Sequence, residues 1–121
     1  MLVRLACGVV LAAAVLAPLT ARADCASEVS RLMSKDTEVL ATRYERVSRQ
    51  LGQKGRNPGQ VAEECRIARQ LGPRLADQIA ALKQSGCSRD PSVGRMIADI
   101  VRGHEDDLAA ITKTTSKSEC R

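Results

Sequence analysis

Three groups of side chains in this sequence could do chemistry. The first is His104, the only histidine, followed directly by Glu105, Asp106 and Asp107. On a helix Asp107 stands three residues on, beside His104, so the two could share a metal ion or a proton. A transition-metal set needs more ligands, and no second histidine exists to supply one. The three acids also lack the alternating ligand positions and the glycine of a calcium loop. The expected role of His104 is that of a boundary residue beside a solvated acidic face. A metal-binding or enzymatic site around it is the sharper alternative. No metal and no cofactor is expected.

The second group is the cysteines. Five occur, and Cys7 lies in the apolar segment described below. The other four stand at 25, 65, 87 and 120, separations of 40, 22 and 33 residues. No Cys-x-x-Cys pair offers thiol exchange, and the spacing lacks the paired ligands of a zinc site. An even count in a small exported chain reads as two disulfides. The third group is a run of bases, Arg43, Arg46, Arg49, Lys54 and Arg56, opposed only by Glu45, with Arg66 and Arg69 following. Gathered at one end of a helical protein, they could meet an anionic lipid headgroup, an acidic polysaccharide or an acidic protein. Their ordinary reason for being there is the negative end of a helix dipole.

Nothing points to catalysis. Nucleophilic chemistry needs a serine or cysteine with a positioned base, and the one histidine falls on an apolar stripe. A carboxylate pair would need a cleft that a slim helical protein rarely has. Gly94 and Gly103 are isolated and form no phosphate loop. With one Tyr, no Trp and no Phe, there is no aromatic platform for bases or sugars and no cage for a cation.

The elements that must position these groups begin after a leader. Residues 1–23 carry Arg4, an apolar run from Leu5 to Leu19 and a small-x-small exit at Ala21-Arg22-Ala23. That is the pattern of a secretory signal peptide cut before Asp24. The apolar run is shorter than the roughly 20 residues a spanning helix needs. Asp24 directly before Cys25 argues against lipidation. Taking Arg4 and Arg22 from the 19 basic residues leaves 17 against 14 acidic ones, a net +3. That is too little for a dedicated nucleic-acid binder. No transmembrane segment is expected in the mature chain.

Residues 24–121 read as one helical domain. Ala26, Val29, Met33, Leu40, Tyr44, Val47 and Leu51 form one stripe, so a single helix is expected over 26–51, with Asp24 as its cap. A turn cluster follows from Gly52 to Gly59. The next stripe is Val61, Cys65, Ala68, Leu71, Leu75, Ile79 and Leu82, in register across Gly72-Pro73. A second helix kinked at Pro73 is expected; a break there, giving four helices, is the alternative. Asp90-Pro91 starts a third helix with the stripe Val93, Ile97, Ile100, His104, Leu108 and Ile111. From about 113 the chain is polar and expected to fray. The fold class is all-α, an up-down-up three-helix antiparallel bundle.

In that bundle, at about 1.5 Å rise per residue, Cys65 and Cys87 would lie about 33 Å apart along one helix, far beyond disulfide reach. Cys25 with Cys65 or Cys120 would join opposite ends. Cys25–Cys87 and Cys65–Cys120 remain, although a break at Pro73 could change the pairing. The sequence thus describes a small, non-catalytic interaction or accessory protein, periplasmic or secreted, with an envelope protein as its expected partner. An anion-binding module using the basic end is the second reading.

Overall fold

A computed structural model describes residues 24–121 of the 121-residue chain; the expected leader and Cys7 lie outside the described residues. The described residues are all-helical and hold two disulfides. Among the described residues there are four helices, not three. Residues 24–32 are helical (α1), followed by α2, Lys35–Lys54, α3, Pro58–Gln84, and α4, Val93–Ser116. Two short 3-10 turns, Gly86–Arg89 and Ser118–Cys120, follow α3 and α4.

The extra helix arises because the expected first helix breaks at Met33-Ser34. Asp24, expected as its cap, is itself helical. At the break the Ser34 N–H leaves the helical ladder and donates to Gln78 Oε1 on α3, at 3.1 Å. Ser34 is extended, and its hydroxyl accepts from Thr37 N–H to cap α2. Asp36 and Glu38 fill the first turn of α2, where acids suit the positive end of the dipole. Gly55 ends α2 at φ +83°, a conformation glycine adopts without steric cost.

At Pro73 the outcome is the reverse, for α3 runs unbroken through it. Pro73 faces outward, while Leu71 and Leu75 on either side are 1% and 2% exposed. Burial of that continuous stripe offsets the cost of one lost backbone hydrogen bond. Asn57 caps α3, accepting from the Gly59 N–H at 2.8 Å, with Pro58 in the first turn. At the other turn the Asp90 carboxylate accepts from the Ser92 and Val93 N–H groups, so α4 starts two residues beyond Pro91.

The core has two parts. Near α1 it holds Val29, Ile79, Leu82, Ile97 and Val101 beside Cys87. Along α2 it holds Leu40, Ile67, Ala68, Leu71, Leu75 and Ile111. α3 is packed by α2 on one side and α4 on the other, so it buries more than one stripe, taking Ile67, Glu64 and Gln78 inside as well. The contacts Ser34–Gln78 and Ser48–Glu64 run in opposite order along α2 and α3. Gln78–His104 and Cys65–Cys120 do the same for α3 and the chain beyond it.

The cysteines pair as Cys25–Cys87 and Cys65–Cys120, each with Cα atoms 5.3 Å apart. The tail expected to fray from about 113 instead stays helical to Ser116 and turns back, burying Cys120. The disulfide holds it there, and Arg69 donates to the Cys120 carbonyl. No helix among the described residues is long and apolar enough to cross a membrane.

Candidate functional site

α2 and α4 both pack on α3, yet no Cα of one comes within 8 Å of the other. The space between them is an open groove of about 510 Å³. Leu71 of α3 and Ile111 of α4 close its floor, and Ala41, Tyr44 and Ala110 give it apolar sides. Tyr44 and Thr114 bridge the two walls through their hydroxyls at 2.6 Å. Glu38, Glu45 and Arg49 rise along the α2 wall and Asp107 along the α4 wall. The α2 positions recur at three- and four-residue steps, which is one face of that helix.

Asp107 is solvent-exposed on one side, but partial burial on its other side pushes its carboxyl above the usual range. His104 pulls it down, and Glu45 and Asp106 push it up further. The Glu45 charge on the α2 wall therefore acts on Asp107 on the α4 wall. Behind the α2 wall, the Ser48 hydroxyl donates to Glu64 Oε2 at 2.8 Å. Glu64 is 5% exposed, and its other oxygen has no hydrogen-bond partner among the described residues.

His104 is half-buried on α4 and is tied to Gln78, the two Nε2 atoms lying 2.6 Å apart. Gln78 Oε1 already accepts from the Ser34 N–H, so its amide nitrogen is the donor to His104. His104 Nε2 is then bare and the ring is neutral, with its proton on Nδ1. Burial lowers its pKa below the usual value, partly opposed by Asp107. The expected neighbourhood of His104 and Asp107 is thus real. No group of three or more His, Cys, Asp or Glu among the described residues could hold a metal ion.

The basic run is divided rather than concentrated. Arg43 pairs with Glu63 at 2.8 Å, a carboxylate it shares with Arg66. The hydrogen bond from Arg66, then Arg43, holds that carboxyl below its ordinary range. Arg56 pairs with Glu119 of the returned tail. Arg46, Arg49 and Lys54 carry no ion pair among the described residues; Arg46 lies on an outer face with Lys35 and Arg43, while Arg49 faces the groove. Glu119 was invisible in the sequence as a neighbour of Arg56, because it is delivered by the Cys65–Cys120 bond. The groove itself left only a faint signal. Glu38, Ala41, Thr42, Glu45, Ser48 and Arg49 form a second face of α2 beside its apolar stripe, mostly small or charged.

Compared with known protein families, curated proteins and solved structures, the chain shows no significant match to any of them.

Proposed function

We propose that this protein is a small, non-catalytic helical adaptor that works outside the cytosol and binds a protein partner of the cell envelope through the groove between α2 and α4. The observation that carries this reading is the spacing of the two walls. Both helices are fixed to α3, yet they leave between them a groove with apolar sides and a charged rim. Partner helices commonly lie in grooves of this kind. The signal-peptide pattern of residues 1–23 and the two disulfides support a location in an oxidising compartment, periplasmic or extracellular.

The test fills the groove. Ala110→Trp, at an exposed position on the α4 wall, places one large ring between the walls. Wild type and variant should show the same helical circular dichroism and similar melting. Cross-linking in an envelope fraction should then give an adduct with wild type that the variant does not form. An adduct formed equally by both rejects the groove as the docking site.

A second reading rests on Arg46, Arg49 and Lys54, which have no ion pair among the described residues. They would let the second half of α2 bind anions, whether acidic headgroups, polysaccharide or acidic protein. This reading expects salt-sensitive binding to anionic vesicles that Arg46→Glu with Arg49→Glu abolishes. Unchanged vesicle binding in that variant at low salt removes it.

A further inference from the structure

We infer that the partner element fitting the α2–α4 groove is a cationic amphipathic helix, seated with its apolar face on Ala41, Tyr44 and Ala110 and its bases against Glu45 and Asp107. This rests on the groove being the docking site and adds the chemistry of its occupant.

The helical form follows from the walls. Both walls and the floor are helices whose backbone groups are already paired, so an extended peptide would find no edge to hydrogen-bond. Side chains alone must make the contact, and a helix presents them in rows. The lining positions of α2 run from Glu38 to Arg49, about 16 Å along its axis at 1.5 Å per residue. That length matches about three turns of a partner helix.

The charge follows from the rim. Glu38, Glu45 and Asp107 face the groove against the single guanidinium of Arg49. The chain as a whole is basic, with a net charge of +5, so this acidic strip runs against the protein's overall sign. Glu45 and Asp107 stand on opposite walls, and the Glu45 charge raises the cost of ionising Asp107. A lysine or arginine between them relieves that repulsion. A second copy of this chain, docking groove to groove, would bring the same carboxylates together and increase it.

Two synthetic peptides of about 18 residues test the inference, sharing one leucine face and carrying either lysine or glutamate on the other. The lysine form should bind the full mature chain at least about tenfold more tightly than the glutamate form at moderate salt. Amide shifts should cluster in 38–49 and 107–111. Glu45→Gln with Asp107→Asn should abolish the preference, while Asp77→Asn with Asp99→Asn, on other faces, should leave it intact. If Ala110→Trp blocks both peptides but they bind alike, docking in the groove stands and the cationic assignment falls. If the lysine peptide does not bind, or binds Ala110→Trp as well as wild type, the assignment and the groove reading fall together.

Discussion

Gln78 does two jobs with one amide. Its oxygen receives the Ser34 N–H freed by the break between α1 and α2, and its nitrogen donates to His104 on α4. Three helices therefore meet on one polar side chain that is 7% exposed. Replacing it with leucine strands the Ser34 donor and the His104 ring, and should cost about 1–3 kcal/mol in urea unfolding. The same link makes His104 a source of pH dependence. In the unfolded chain His104 takes up a proton near pH 6.5, whereas in the folded chain burial delays uptake to lower pH. Between those values the unfolded state binds more protons, so stability is full above about pH 6.5 and falls as the pH drops through the window. Protonated Nε2 would confront the Gln78 amide nitrogen, and the amide would have to turn away from Ser34. Asp107 acts in the opposite sense. Its raised pKa means the folded state holds its proton longer, so that contribution is lost as pH rises above about 3.8. Urea midpoints measured from about pH 7 to pH 5 should decline in wild type and stay flatter in His104→Leu. Equal slopes would place the pH dependence elsewhere.

The helices differ in how tightly their glycines are enclosed. A Cβ on Gly94 would come within 2.5 Å of the Ser88 carbonyl oxygen, because the first turn of α4 lies directly on the 3-10 turn after α3. Gly103, in the middle of the same helix, has nothing within 4 Å of that position. Gly94→Ala should destabilise by about 1–3 kcal/mol, since backbone must move, whereas Gly103→Ala should stabilise by about 0.5–1 kcal/mol. Thermal melts of the two variants should shift in opposite directions, and a Gly94→Ala protein as stable as wild type would mean that this contact yields freely. Much at this scale was legible from residue spacing. The stripe Leu71, Leu75, Ile79, Leu82 marks one helix across Pro73 because burial follows the 3.6-residue period whatever the local propensity. The break at Ser34 was less legible, since the seven-residue step from Met33 to Leu40 keeps register and imitates a continuous helix. Ser34 ahead of Asp36 and Glu38 was the available sign of a new start. What decides the break, the Gln78 amide 44 residues away, is a tertiary contact with no local trace. For the same reason Glu63 could not be placed beside Arg43, nor Glu119 beside Arg56, nor the groove between its walls, from sequence.

At the scale of the molecule the two disulfides secure the pieces the core holds least. Cys25–Cys87 fastens α1, whose described length of 24–32 is too short to persist alone in water. Cys65–Cys120 fastens the returned tail, and with it the end of α4, to the first third of α3. Each closes a long loop, with separations of 62 and 55 residues, so removing either should cost about 2–4 kcal/mol and lower Tm by about 10–25 °C. Their consequences for the groove should nevertheless differ. The groove is lined by α2, Leu71 and the stretch from Asp107 to Ile111, which lie towards the Cys65–Cys120 end and apart from the core around Val29. Releasing Cys65 and Cys120 frees the end of α4, leaving the Tyr44–Thr114 hydroxyl contact as the tie between the walls, so the walls lose their fixed separation. Releasing Cys25 and Cys87 loosens α1 and leaves the walls alone. Cys25→Ala with Cys87→Ala should therefore lose hydrogen-exchange protection over 24–32 and bind the lysine-faced peptide as wild type does. Cys65→Ala with Cys120→Ala should lose protection over the last turn of α4 and bind that peptide several-fold more weakly. Equal peptide affinity in both pairs would mean that the groove is set by the α3 contacts alone, and that the covalent link at its end serves stability without shaping the site.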